Sequence, residues 1–240
     1  KNSNFKSWPG GPSKPQILPS KKGVNRFTWD FRRAPLPSIH KVFIFGGLAG
    51  SKVAPGKYSL RMTLGDVISE TETTILPNPK VVSSPEDFIA QQKMLVSIEN
   101  TVKEMHESVN QMRSAKTQLS HYAKLLKDSK NADSLLEKGK ELTKRINSWE
   151  ENLIQAKQKT FQDVINFNNK LNAQLIQLKS YIDQANPKVT NGAKERFNDL
   201  MKDWQVYKNE RDTIINTEMQ AYNSLFKTLA IPALILDEKQ

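Results

Sequence analysis

The chain contains no cysteine. Thiol nucleophiles, thiolate metal sites and disulfides are therefore excluded, and any redox compartment is compatible. Histidine is nearly as scarce: His40, His106 and His121 are the whole supply, and no two of them stand four residues apart as a helical zinc site requires. There is no GxGxxG, P-loop or GxSxG sequence to cradle phosphate or present a serine nucleophile. No apolar run reaches the roughly 18 to 20 residues of a membrane span; LAIPALIL, around Pro232, is the longest candidate. These absences predict a chain without cofactor, metal, membrane span or catalytic residue of its own. The first residue is Lys1, with no Met and no basic-then-apolar leader pattern. That start predicts either a removed targeting segment or a chain cut from a longer one.

Acidic residues are scarce in one region only. The formal net charge is +11 over 240 residues, yet residues 1 to 80 hold 13 Lys and Arg against 4 Asp and Glu, while residues 81 to 240 hold 23 against 21. The basicity belongs to the first third, and the later charges alternate in sign as on a solvated helix face. A nucleic-acid partner is not expected; an anionic partner of the first third remains possible on charge grounds. Glycine and proline divide the chain at the same place, with 8 of 10 Gly and 9 of 12 Pro before residue 80. Strands and turns need that punctuation and long helices exclude it, so the break predicts a β module over 1–80 and an elongated helical module over 81–240.

In the β module, GVNRFTWDFRR alternates strictly, with Phe27, Trp29 and Phe31 on one face and Arg26, Asp30 and Arg32 on the other. The aromatic face reads as core. The opposite face reads as an ion-pair ladder and, together with Arg61 of the KYSLRMTL strand, is the one candidate ligand site: Arg26, Asp30, Arg32 and Arg61 could offer forked donors to an acidic sugar. KYSLRMTL places Tyr58, Leu60, Met62 and Leu64 on its inner face. Gly65-Asp66 turns it into VISETETTI, and KVFIF adds a further short strand. The expected fold of this part is a small Ig-like β-sandwich, incomplete at its N-terminus because about seven strands are usual.

In the helical module, SSPEDF supplies an N-cap at Ser84, Pro85 at the first helical position and two acids in the first turn. Phe88, Leu95, Val102 and Val109 repeat every seven residues, as do Ile98, Met105, Met112, Leu119 and Leu126, which predicts one seam on a helix of about 40 residues. A second seam, Leu135 to Ala156, is thrown out of phase before Phe161. It resumes as Phe161, Val164, Leu171, Leu175, Leu178 and Ile182, and a third seam runs from Phe197 to Ile214. The module reads as a long antiparallel three-helix bundle with an interrupted middle helix.

The stretches WPGGPSKP, KGVNRFTWDFR, APGKYSLRMTLG, ILPNPK, INFNNKLNAQLIQL and GAKERFNDLMKDW together resemble the C-terminal region of large secreted bacterial proteins built on sortilin-like or Asp-box (BNR-type) β-propellers, often labelled putative glycosyl hydrolases. Gly23, Asn25, Arg26, Trp29 and Asp30, and Pro55, Gly56 and Tyr58, are the most specific parts. Asn78-Pro79-Lys80 departs from the Asp-Pro-Arg common in relatives. The resemblance implies an Ig-like module, a helical tail, export to the periplasm or cell surface, and a propeller upstream that would carry any activity. The expected function is that of a non-catalytic accessory and scaffold region whose partner is the upstream propeller. A carbohydrate- or surface-polymer-binding module taking acidic carbohydrate is the alternative.

Overall fold

The structure is a computed structural model and describes residues 8–14, 16–129 and 131–231. Two strands pair antiparallel, β1 (Gly56–Leu64) and β2 (Val67–Ile75), in an unbroken register from Gly56 opposite Ile75 to Leu64 opposite Val67. Gly65 takes the left-handed φ of 58° that a two-residue hairpin turn needs at its first position. Five α-helices follow: α1 (Pro85–Leu125), α2 (Asp133–Leu153), α3 (Leu171–Ile182), α4 (Asn191–Thr213) and α5 (Met219–Thr228). A 3-10 turn, Phe161–Ile165, lies between α2 and α3, and one π-helical turn, Ile214–Glu218, joins α4 to α5.

Local chemistry accounts for the helix boundaries. Ser84 and Asp87 form a reciprocal capping box, Ser84 Oγ accepting from Asp87 N at 3.3 Å and Asp87 Oδ2 accepting from Ser84 N at 3.0 Å. Thr190 Oγ1 caps α4 by accepting from Ala193 N at 3.2 Å. The helix α2 starts without a side-chain cap at Ala132. The α1 seam from Leu95 through Ile98, Val102, Met105, Val109, Met112 and Leu119 to Leu126 is buried throughout. Gln91 Nε2 of α1 donates to Ile182 O at 2.7 Å, while Lys116 Nζ reaches Asn147 Oδ1 at 2.7 Å. So α3 lies antiparallel to the first half of α1 and α2 to its second half, and α4 with α5 runs back along both. The π turn adds one residue to the last rod. One residue turns a helix by about 100°, and the insertion lets Met219, Tyr222 and Phe226 take over the inward face after Ile214.

The Ig-like sandwich does not form. Among the described residues there are two strands, in one two-stranded sheet, and the chain is predominantly helical. Residues 23–33 lack a ladder: Phe31 has a left-handed φ of 60° that ends any extended run, and Arg32 meets Lys52 only as a single bridge. Phe27 and Phe31 are about half exposed, at 50% and 49%, rather than facing a core. Lys41, with φ 57°, breaks the start of KVFIF in the same way. Alternation places side chains on faces but supplies no partner strand, and a lone alternating segment has nothing to pair its backbone with.

The residues of the expected third strand are used differently. Leu36, Ile39, Val42, Ile44 and Leu48 join the same apolar core as α1, α2, α3 and α4. Residues 32–52 thus form an irregular strap laid on the helices, and the packing does not divide at the composition break near residue 80. Gly46 permits the closest approach: it has φ 91°, and a Cβ there would stand 2.8 Å from Ile176 Cγ2.

This packing orders the cost of truncations. Ile39 is fully buried, so Ile39→Ala should destabilise the protein by about 2 to 5 kcal/mol, while Phe27→Ala should stay within about 0.5 kcal/mol. Denaturant midpoints of the two variants in parallel check the ordering, and equal effects would mean that the strap is not part of the core.

Candidate functional site

The strap has few backbone partners of its own, so the helices must satisfy its polar groups. On α1, three polar residues one to two turns apart beside the seam do this. His106 Nδ1 lies 2.7 Å from Pro37 O, Asn110 Nδ2 donates to Ser38 O at 2.9 Å, and Arg113 Nη1 donates to His40 O at 2.9 Å. A second cluster holds the far end of the strap. The buried Lys179 of α3 donates to Ala49 O and sits 3.9 Å from Glu99; Glu99 Oε1 accepts from Ser51 N at 2.5 Å, and Asp183 Oδ1 accepts from Lys52 N at 3.1 Å. Burial pulls the Lys179 ammonium below its ordinary pKa, with Glu99 and Asp183 opposing. Ser51 Oγ, buried beside this cluster, has no hydrogen-bond partner among the described residues.

The four sequence-predicted site residues are not gathered. Arg32 turns inward and serves the strap, its Nη1 meeting Gly50 O at 2.8 Å and Asp183 Oδ2 at 3.0 Å. Asp30 Oδ1 accepts from Arg32 N at 3.1 Å in a local turn, and its other oxygen stands 3.9 Å from Arg32 Nε. Arg26 is exposed, and Arg61 pairs with Glu70 across the hairpin. Trp29 is half-buried: its Nε1 donates to Arg32 O at 2.9 Å, and it meets Phe31 and Tyr58 edge-on with centroids 5.4 and 6.1 Å apart. The aromatics form a small angular cluster at the foot of the hairpin instead of a flat sugar platform.

Acid-base chemistry finds little here. His106 is fully buried, with a carbonyl at Nδ1 and Asn172 Nδ2 at 3.3 Å from Nε2. A carbonyl only accepts, so Nδ1 carries the proton and both nitrogens are engaged. Glu150 is also buried. Burial pushes its carboxyl up, but Arg113 at 2.5 Å and Lys116 at 2.9 Å outweigh that and hold it below the usual range. These bonds tie α1 to α2. Among the described residues no three His, Asp or Glu side chains gather at metal-binding spacing, and no helix is long and apolar enough to cross a membrane.

What remains conspicuous is the hairpin. Its register places the apolar Tyr58, Leu60, Met62, Leu64, Val67 and Ile75 with Ser69, Thr71 and Thr73 on one face, and Lys57, Arg61, Ile68, Glu70 and Glu72 on the other. The apolar face that reads as inward is covered by none of the described residues: Leu60, Met62, Leu64 and Val67 are 45%, 61%, 70% and 69% exposed. Both outer edges lack a ladder partner among the described residues, and neither strand packs extensively on a helix. At about 3.3 Å per residue each strand is roughly 30 Å long. A groove of about 850 Å³ lies at its foot, lined by Tyr58, Ile75, Pro77 and Phe88. The period marks this face in the sequence but reads as core; the shortfall from the about seven strands of a sandwich was the available signal that its cover is not within this stretch.

Compared with family models, curated proteins and solved structures, the chain matches none.

His106 gives the site a measurable pH signature. Burial holds its folded pKa near 4 against an ordinary 6.5. The unfolded chain therefore takes up the proton first as pH falls. Stability from the neutral imidazole is complete above pH 6.5 and is lost between pH 6.5 and 4, by about 3 kcal/mol. Unfolding free energies measured across this window should fall more steeply for the native protein than for His106→Gln; parallel curves would place the imidazole in solvent.

Proposed function

We propose that this chain is a non-catalytic accessory and scaffold region, and that its amphipathic hairpin docks on a β-sheet body of a larger protein. The observation that carries this reading is the uncovered apolar face of β1 and β2. Soluble proteins seldom leave a contiguous apolar ribbon in water unless something binds it, and a ribbon with two free edges is a ready acceptor for sheet extension. The helices would act as a rigid base: a 41-residue α1 extends about 60 Å and fixes where the hairpin is presented.

The upstream propeller implied by the sequence resemblance is the proposed partner, and export to the periplasm or cell surface goes with it. Any reaction would then belong to that body. Acidic carbohydrate draws less support as the ligand. Arg32 is engaged with Asp183 and Arg61 with Glu70, and the donors do not converge.

The test uses the chain and a separately produced propeller body. Leu64→Lys combined with Val67→Glu, opposite charges on a directly paired, exposed position, should leave the unfolding free energy within about 0.5 kcal/mol, yet abolish calorimetric binding to the propeller body. A native chain that fails to bind it, or a double variant that binds equally well, would sink the proposal.

A further inference from the structure

A second surface lies at the opposite end of the helical part and is independent of the hairpin. Between the second half of α1 and the whole of α2 runs a groove of about 730 Å³. Its floor is apolar and low: Leu119 and Leu135 are buried beneath it, Ala123 and Leu136 border it, and Tyr222 of α5 closes it from below. Gly139 leaves the floor bare, where a Cβ would rest in ordinary contact with Tyr222 Cε2 at 3.4 Å and Leu119 Cδ2 at 3.9 Å. Residues 81 to 240 are almost balanced in charge, yet four lysines line this groove against one acid, Glu151. Lys116 and Lys127 stand on the α1 side, Lys140 and Lys144 on the α2 side. Lys116 is committed to Glu150 and Asn147, and Lys127 and Lys140 each meet an exposed neighbouring acid at 3.5 and 3.3 Å. Such exposed pairs contribute little and exchange readily, and Lys144 has no ion pair among the described residues.

The geometry points to an acidic amphipathic helix as the occupant, lying between α1 and α2 with its apolar stripe on the Leu119–Leu136–Tyr222 floor and its carboxylates beside the lysines of both walls. The distribution of charge favours a helix over an anionic lipid. Lys116 lies on α1 nine residues, about 14 Å at 1.5 Å per residue, before its last residue Leu125, Lys127 follows just past that end, and the two lysines of α2 face them across the groove. One headgroup could meet one end of such an array. A helix with acids on both flanks of an apolar stripe meets all of it, as charged flanking positions do along a coiled-coil seam. The three rods then acquire a fourth neighbour over the half of the molecule remote from the hairpin.

Two designed peptides of about three heptads test this, sharing one Leu stripe and carrying either Glu or Lys at all flanking positions. Titrated by fluorescence anisotropy against the full chain at low salt, the Glu peptide should bind and the Lys peptide should bind at least about tenfold more weakly. Affinity for the Glu peptide should fall as salt rises. Lys140→Glu with Lys144→Glu, both exposed, should weaken the Glu peptide by roughly tenfold without changing the helical circular dichroism. Gly139→Leu should block the floor and abolish binding; its folding is checked by the same spectrum. Equal binding of the two peptides, indifference to the lysine reversal, or binding of palmitate to the native chain more tightly than the Glu peptide and lost in Gly139→Leu would overturn the inference, the last by giving the groove to a lipid.

Discussion

An irregular stretch of backbone laid on a helical core carries donors and acceptors that cannot all pair within itself, and each one left unpaired away from water costs free energy on the scale of a lost hydrogen bond. Residues 32–52 are such a stretch, and the placement of polar side chains on α1 and α3 follows from them. His106, Asn110 and Arg113 meet three strap carbonyls in succession; Lys179, Glu99 and Asp183 meet the next carbonyl and two amides. With those bonds made, Ile39, Val42 and Ile44 can enter the core. The burial of an imidazole and a lysine in a helical protein is thus a consequence of the strap, and catalysis is not needed to explain it.

The helical rods were legible because a seam is self-reporting: residues seven apart share a face whether or not the partner is known, and the partners lay within the same chain. Leu95, Val102 and Val109 were readable as core, and Ser84 as a cap. The end of α2 was readable as a break in phase. The β part was not legible on the same terms. A period of two says which side chains share a face and nothing about whether a neighbouring strand exists. The same alternation therefore read as a sandwich core in FTWDF and in KYSLRMTL, where the first forms no ladder and the second forms a ribbon with a bare face. KVFIF showed the converse, an apolar run that is buried without being a strand.

The candidate site was misplaced for a related reason. Arg26, Asp30, Arg32 and Arg61 were grouped because a sheet would have brought them together. Without the sheet, Arg32 is drawn to Asp183, a residue 151 positions away, and no local pattern announces such a pairing. The line of His106, Asn110 and Arg113 beside the α1 seam was visible in the sequence, as polar residues where a wide apolar stripe would be expected. Its meaning depended on the strap, which offers carbonyls and therefore leaves no signature in its own residue types.

That last property divides the molecule into positions of very different mutational tolerance. The strap contributes oxygen atoms that every amino acid possesses, so exchanging Ser38 or Ala49 for another residue of fitting size preserves the bond each makes. The helices contribute particular side chains, and no other residue at 110, 113 or 179 reproduces the reach and the donor. Sequence drift is therefore free to erase the strap's recognisable composition while the docking persists, provided the helix face opposite it stays fixed. Relatives of this chain would be better sought by the spacing of His106, Asn110 and Arg113 beside the seam than by the residues those side chains hold in place.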